Sequence, residues 1–168
     1  MARPRVRRHR STTTEIATSL KRERPDLNSS DYLYLIFVQR LGHVLDTFDD
    51  QHCRRDFGVS GSEMRILFAL RRAGPPYALR PTELFYSLLV TSGAVSKQVD
   101  RLEAAGYVKR SVGPAKSGGS LIVLTTSGFE LVNRGLSTLV DWSTQIVTSL
   151  NRKERQMLCV LCDKMTAD

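Results

Sequence analysis

The chain has 168 residues, enough for one domain of ordinary size or two small modules that share a core, and too few for a large multidomain enzyme. Hydrophobic residues make up 41% and charged residues 25%, which is typical of a globular protein. The formal net charge is +8, and residues 1–24 hold eight Lys and Arg against two Glu. This basic segment suits a polyanionic partner because Lys and Arg displace counterions from phosphates, although a solubilising disordered tail has the same composition.

The sequence shows no membrane-spanning or secretory segment, which bears on the cellular compartment of the protein. No apolar run approaches the roughly 18 to 20 residues of a membrane-spanning helix, and the first residues are too polar for a secretory signal. We therefore expect a cytoplasmic protein with no membrane partner. The three cysteines, Cys53, Cys159 and Cys162, are too few and too unevenly spaced for a disulfide framework, which agrees with a reducing compartment.

The N-terminal part of the chain predicts an arm and two helices. Residues 1–14 hold five arginines and almost nothing apolar, so we expect a flexible basic arm. A short amphipathic helix follows and ends before Pro25. Apolar residues then recur at helical spacing from Leu33 to Phe48, which predicts a long helix. The candidate caps of this helix are Asn28, Ser29 and Ser30.

The middle of the chain predicts two shorter helices. Ser60 and Glu63 form a capping box, so a helix begins there, and Gly74 ends it. Pro81 fits the first turn of the next helix, where a missing amide costs nothing.

A further helix, capped by Thr91, follows a tight turn around Val90 and Thr91. Val95, Val99 and Leu102 face inward at helical spacing, and Gly106 supplies the left-handed residue that closes the helix.

The C-terminal part predicts a hairpin and two more helices. Extended stretches at 107–112 and 121–124 flank a tip that contains glycine and proline. Thr125 then caps a long helix, and Asn151 with Glu154 makes the capping box of the last one.

This order of elements predicts a mainly α fold with a small β-hairpin wing, the winged form of the helix-turn-helix. Such a module presents its second helix to the major groove of DNA. Small hydroxylated and cationic side chains on that helix can approach bases and phosphates, although the solvated face of any amphipathic helix has similar residues. The predicted DNA contacts are Thr91, Ser92, Gly93, Ser96, Lys97, Gln98 and Arg101 on the helix, and Lys116 on the wing. Asp100 also lies on the predicted outer face.

From about Ser30 to the C-terminus the chain resembles the MarR family of winged-helix regulators. Order and spacing of four segments match the family. These segments are Arg80-Pro81-Thr82-Glu83-Leu84, Thr91-Ser92-Gly93-Ala94-Val95-Ser96-Lys97, Asp100-Arg101-Leu102-Glu103-Ala104-Ala105-Gly106-Tyr107-Val108, and Leu124-Thr125 with Gly128.

The resemblance implies a homodimer with interlocked terminal helices on a pseudo-palindromic operator. It also implies a repressor that a small aromatic or anionic effector releases by entering the cleft between dimer helices and DNA-binding lobes. The apolar positions of the long helices are consistent with pairing, because one small module cannot cover them all. We therefore divide the chain into the arm (1–14), N-terminal dimerisation helices (15–57), the DNA-binding module (58–124) and C-terminal dimerisation helices (125–168).

Two features depart from the family. Its wing tip usually carries an Asp-x-Arg motif that reaches the minor groove, whereas residues 114–120 offer only Lys116. We expect a weaker minor-groove contact, with the arginines of the arm as candidates to compensate. The N-terminal extension and residues 71–77 are similar to the urate-responsive branch, but its ligand-binding Trp and Asp align with Leu20 and Arg65.

Urate is therefore disfavoured as the effector. Leu20 and Arg65 remain candidate ligand-binding positions, since Arg65 can attract an anion. An ordinary salt bridge of Arg65 with Asp31, Asp46 or another carboxylate is the favoured interpretation.

The alternative function is a redox sensor, or an interaction module without an effector pocket. A sensor needs an accessible thiolate, and Cys53 is the candidate because cationic neighbours favour ionisation. Cys159 and Cys162 lie within an apolar helical pattern and are expected to be inert.

Catalytic and metal sites find no support in the sequence. No GxSxG, P-loop, HExxH or glycine-rich dinucleotide motif occurs, so we expect neither an enzyme nor a cofactor. A metal site from His43, His52 and Cys53 is disfavoured, because zinc needs three or four convergent ligands. Trp142 is expected to pack in the dimer rather than against a ligand.

Overall fold

A computed structural model describes residues 12–88, 92–113 and 119–167 of the chain. The predicted class, mainly α with a small β-sheet, is confirmed. The helices are α1 (Thr13–Glu23), α2 (Ser30–Phe57), α3 (Gly61–Arg72), α4 (Pro81–Leu88), α5 (Ser92–Ala104), α6 (Thr126–Ile146) and α7 (Arg152–Thr166), with a 3-10 turn at Val147–Ser149. The strands are β1 (Ala78–Leu79), β2 (Val108–Val112) and β3 (Ser120–Leu124).

Local capping interactions start several of these helices as predicted. The Ser60 hydroxyl accepts a hydrogen bond from the Glu63 N–H at 3.2 Å, and the Glu63 carboxylate accepts one from the Ser60 N–H at 2.7 Å. Asn151 and Glu154 make the same reciprocal pair before α7. Each box satisfies amides that the first helical turn leaves without a partner.

A capping box that the sequence reading missed starts α1. The Thr12 hydroxyl accepts from the Glu15 N–H, and the Glu15 carboxylate accepts from the Thr12 N–H at 2.7 Å. Helix α1 therefore begins at Thr13, so residues 12–14 do not belong to a flexible arm. The rest of the predicted arm, residues 1–11, lies outside the described residues.

The sheet has three strands in the order β1-β3-β2, all antiparallel. The predicted hairpin pairs Val108 with Leu124 and Val112 with Ser120. Strand β1 was not predicted; it pairs Ala78 with Val123 and has only two residues, too few to show an alternating pattern.

By its contacts the chain divides into two compact units, Met1–Asp49 and Asp50–Asp168. The boundary falls within α2. The second unit contains the buried core, and its fully buried large side chains are Met64, Ile66, Leu67, Leu70, Leu84, Val95, Val99, Leu102, Val108, Leu131 and Val132. These residues come from α3, α4, α5, β2 and α6, so one core holds the helix pair α4–α5, the sheet and α6 together.

A compact backbone junction joins the sheet to α6. The Thr125 hydroxyl donates to the carbonyls of Gly106 and Tyr107 at 2.7 and 3.1 Å and accepts from the Gly128 N–H at 3.1 Å. A Cβ built on Gly128 would lie 2.0 Å from the Tyr107 carbonyl oxygen. Glycine is therefore required here so that α6 can approach the end of the turn after α5.

The tryptophan of α6 packs within the chain. The Trp142 ring lies 4.6 Å from the His52 ring and 6.3 Å from the Phe57 ring, and Trp142 is 9% exposed. The expectation that Trp142 serves dimer packing is therefore wrong for most of its surface, because aromatic residues at the end of α2 already cover it.

We expect Gly128→Ala to lower the free energy of unfolding by about 1 to 3 kcal/mol, because the added methyl group must push α6 away from the Tyr107 carbonyl. Urea denaturation followed by circular dichroism measures the change. The matched control is Gly42→Ala in α2, where the new Cβ meets nothing within 4 Å and where alanine favours the helix. Equal stability of the two variants would contradict the proposed role of Gly128.

Candidate nucleic-acid interface

Helix α5 has one buried edge and one exposed face. Val95, Val99 and Leu102 are each 1% exposed, as the sequence predicted. Because residues three and four apart share a face of a helix, burial of this edge turns the opposite face to solvent. Of the predicted contacts, Gly93, Ser96, Lys97 and Arg101 are exposed and Gln98 is half-buried.

Thr91, Val90 and Lys116 lie outside the described residues, and Ser92 is described only as the first residue of α5. The described part of the candidate interface consists of the four exposed positions of α5 and the strands of the wing.

Helix α4 precedes α5 and is held by the same core. Leu84 of α4 is fully buried, and the Glu83 carboxylate accepts a hydrogen bond from the Arg80 N–H at 2.6 Å, next to Pro81. Helix α3 contacts both α4 and α5. In a helix-turn-helix, two short helices pack against a third, and the second of the two has an exposed polar face. Helices α4 and α5, packed on α3, have this arrangement.

The exposed guanidinium of Arg101 is paired with a buried acid. Glu63, whose side chain is 9% exposed, lies with Oε1 3.7 Å from Nη1 of Arg101, whose side chain is 68% exposed. The other carboxylate oxygen of Glu63 caps α3 through Ser60. The pair therefore links the first turn of α3 to the exposed face of α5 and biases the direction of the Arg101 side chain.

Strand β2 of the wing is tied to the last turns of α5 by Arg110. Its guanidinium bridges the carboxylates of Asp100 and Glu103, and its backbone N–H donates to Oε1 of Glu103 at 2.9 Å. The hydrogen bond to Asp100 is the main cause that raises the pKa of Arg110 above its ordinary value. Asp100, predicted on the outer face, is thus engaged by the wing.

Sequence reasoning missed the roles of Glu103 and Arg110. A signal was present, since Asp100 and Glu103 are three residues apart and share one face of α5. The left-handed turn at Gly106 reverses the chain, so that an arginine at 110 returns alongside that face. The wing itself closes with the Gly113 N–H bonded to the Gly119 carbonyl at 2.8 Å.

A cleft of about 690 Å³ lies beside this face, within the second unit. Its walls combine aromatic and aliphatic side chains with three charged groups. The lining residues are Arg54, Phe57, Gly58, Val59, Glu63, Arg101, Leu102, Ala105 and Tyr107. This volume is within the range of small-molecule sites.

The two predicted ligand-binding positions do not line this cleft. The hydrogen bond from Arg54 to the Asp50 carboxylate, at 2.7 Å, is the main cause that lowers the pKa of Asp50, and the charge of the half-buried Arg65 is the smallest cause. The proximity to a carboxylate supports the salt-bridge interpretation of Arg65. Leu20 is half-buried in α1.

The cysteines have the opposite exposures to those expected. Cys53 is 5% exposed and so lacks the accessibility that redox sensing requires, because it lies on the inner side of α2. Cys159 and Cys162 are exposed on α7. In the described part of the chain, His, Cys, Asp and Glu form no group of three or more that could hold a metal ion.

Of the helices that the structure describes, none has the length and apolar character needed to cross a bilayer.

Comparison with known proteins agrees with the geometry. The sequence model of the MarR family matches residues 57–116. The transcriptional regulator PecS of Dickeya dadantii is 28% identical over 152 residues, which cover 90% of this chain and 91% of PecS. The multiple antibiotic resistance protein MarR of Escherichia coli is 33% identical over 97 residues, covering 56% of this chain and 65% of MarR.

Solved structures agree as well. The crystal structure of Sco3205, a MarR family regulator from Streptomyces coelicolor in complex with DNA, has a TM-score of 0.71 and 25% identity, covering 84% of this chain and 91% of that one. The region that the family's sequence model matches, residues 57–116, contains the α4–α5 pair and β2, which form the candidate interface. The chain is therefore similar, in sequence and in fold, to the winged-helix transcriptional regulators of the MarR family.

Proposed function

We propose that this protein binds duplex DNA as a homodimer in the cytoplasm and represses transcription until a small effector releases it. The observation that carries the proposal is the exposed polar face of α5, fixed by burial of Val95, Val99 and Leu102. The DNA complex of the Streptomyces relative supports the proposal, since its fold covers 84% of this chain.

The chemistry of the α5 face suits the major groove. Gly93 and Ser96 are small, and a Cβ at Gly93 would meet nothing within 4 Å, so the backbone can lie close to DNA. Lys97 and Arg101 are four residues apart and share one face. Both can donate to guanine edges or to phosphates.

We expect Lys97→Ala to weaken binding to a selected operator duplex by about 1 to 3 kcal/mol if Lys97 contacts a base, with a smaller loss on random DNA. Substitution of Lys97 is easier to interpret than Arg101→Ala, because Arg101→Ala would also remove the guanidinium that pairs with the buried Glu63. Operator fragments are selected from genomic DNA, and affinity is measured by fluorescence anisotropy.

Lys153→Ala in α7 is the matched control, because it removes one exposed cation away from α5. It should bind as the parent does. Equal losses on operator and random duplexes would assign Lys97 to phosphate contacts, and absence of any duplex binding by the parent protein would contradict the proposed function.

The homodimer is supported by exposed apolar surface on α7. Every residue from 151 to 167 is exposed in the single chain. Five of these are large and apolar, with exposures between 39% and 57%, namely Met157, Leu158, Val160, Leu161 and Met165. A helix with this much apolar surface in water needs a covering partner, and a second copy of the chain supplies one in a symmetric dimer.

We expect Leu161→Glu to dissociate the dimer, because a carboxylate cannot be buried there without a partner charge. Sedimentation velocity should give a two-chain mass for the parent protein and a single-chain mass for the variant. Cys159→Glu adds the same charge on the opposite face of α7, where the residue is also exposed, and should leave the dimer intact. A parent protein that sediments as a single chain would contradict the dimer.

The cleft beside α5 is the proposed effector site. Arg54 and Arg101 attract an anion, while Phe57, Val59 and Tyr107 offer apolar contact, so an aromatic carboxylate fits its chemistry. A carboxylate that pairs with Arg101 competes with Glu63 for the same guanidinium. It would thereby change the α5 face and lower the affinity for DNA.

We expect benzoate to weaken operator binding by the parent protein, and Ala105→Trp to abolish this response by filling the cleft. The control is Thr126→Trp at the rim of a second cleft, of about 290 Å³, whose lining contains no charged side chain. Anisotropy titrations with and without benzoate measure the response. A response that persists in Ala105→Trp would place the effector elsewhere.

A further inference from the structure

Helix α5 has no net charge of its own. Lys97 and Arg101 are balanced by Asp100 and Glu103. A helix that must approach two phosphate backbones gains no electrostatic attraction from such a balance, since affinity for DNA depends on cations that replace counterions. Asp100 is exposed and Glu103 is half-buried, with side chains 61% and 37% accessible.

Arg110 changes this balance through three contacts. Its guanidinium contacts the carboxylates of Asp100 and Glu103 together, and its backbone N–H holds a Glu103 oxygen at 2.9 Å. The same three contacts attach strand β2 to the last turns of α5. With Arg110 included, the cluster of Lys97, Asp100, Arg101, Glu103 and Arg110 has a net charge of +1.

We propose that Arg110 is a positioning residue for DNA binding, which masks the two carboxylates of the recognition helix and holds the wing against it. This inference rests on the proposed DNA-binding function. Loss of the guanidinium lowers the net charge of the cluster from +1 to 0 and leaves both acids facing phosphate without this cation. The effect on DNA binding is therefore larger than that of removing an ordinary cation.

The test compares Arg110→Ala with a triple variant that also carries Asp100→Asn and Glu103→Gln. We expect Arg110→Ala to weaken binding to the selected operator duplex roughly tenfold or more at about 0.1 M salt. The triple variant, which lacks both acids as well as the arginine, should recover to within about threefold of the parent protein. Anisotropy over a series of salt concentrations measures both affinity and salt slope.

Lys109→Ala is the matched control. Lys109 is an exposed cation on the same strand, and its removal uncovers no acid. Lys109→Ala should therefore lose less affinity for the operator duplex than Arg110→Ala does. Adding Asp100→Asn and Glu103→Gln to Lys109→Ala should raise its affinity no more than the same two substitutions raise the affinity of the parent protein. Thermal unfolding by circular dichroism is recorded for every variant.

Recovery of DNA binding without recovery of thermal stability supports charge masking, because a purely structural role would move the two readouts together. A triple variant that binds as weakly as Arg110→Ala overturns the inference, as does an Arg110→Ala variant that is folded and binds as the parent does. If Arg110→Ala is unfolded, the test uses the double variant Asp100→Asn and Glu103→Gln, which keeps Arg110. Charge masking predicts that this double variant binds the operator at least as tightly as the parent protein does. Weaker binding by the double variant overturns the inference. Failure of the parent protein to bind any duplex is a separate result, which contradicts the proposed function itself.

Discussion

Burial of one edge of α5 is the constraint on which the rest of the molecule depends. Val95, Val99 and Leu102 enter a core that α3, α4, the sheet and α6 share, and each is 1% exposed. Burying three such side chains contributes on the order of 1.5 to 3 kcal/mol each relative to exposing them. This energy fixes the orientation of α5 about its own axis. Gly93, Ser96 and Lys97 therefore face solvent rather than the core.

The charged groups around α5 are arranged by that same rotation. Arg101 meets Glu63, an almost fully buried acid that also caps α3, and Asp100 meets Arg110 on the wing. A single carboxylate thus serves both the start of one helix and the orientation of a candidate DNA contact. Such a shared group couples the stability of α3 to the surface that we propose binds DNA, because a change in the cap of α3 also alters the ion pair of Arg101.

Some of the apolar side chains of the chain are buried in a core, and others are exposed on α7. In the second unit, one core buries the helix pair, the sheet and part of α6, and Trp142 packs against His52 and Phe57. Helix α7 instead leaves its apolar side chains in solvent, although its own capping box makes it a regular helix. Local signals therefore mark the start of α7, while we propose that a second copy of the chain covers its apolar side chains.

The sequence by itself determined the local structure. Capping boxes at Ser60 and Asn151, the helical spacing of Val95, Val99 and Leu102, and the left-handed Gly106 act over a few residues, so their physics can be read directly from the order of side chains. These signals predicted the helix order, the wing and the exposed face of α5. The motif at Gly128 was visible too, but not its reason.

Only the tertiary structure decided what touches what across the chain. The approach of Gly128 to Tyr107, the bridge from Arg110 to two acids, and the burial of Cys53 all depend on distances between separate elements. Strand β1 belongs here as well, since two residues carry no period and become a strand only when β3 lies beside them. Local propensity is a property of neighbours in sequence, whereas burial and ion pairing are properties of neighbours in space.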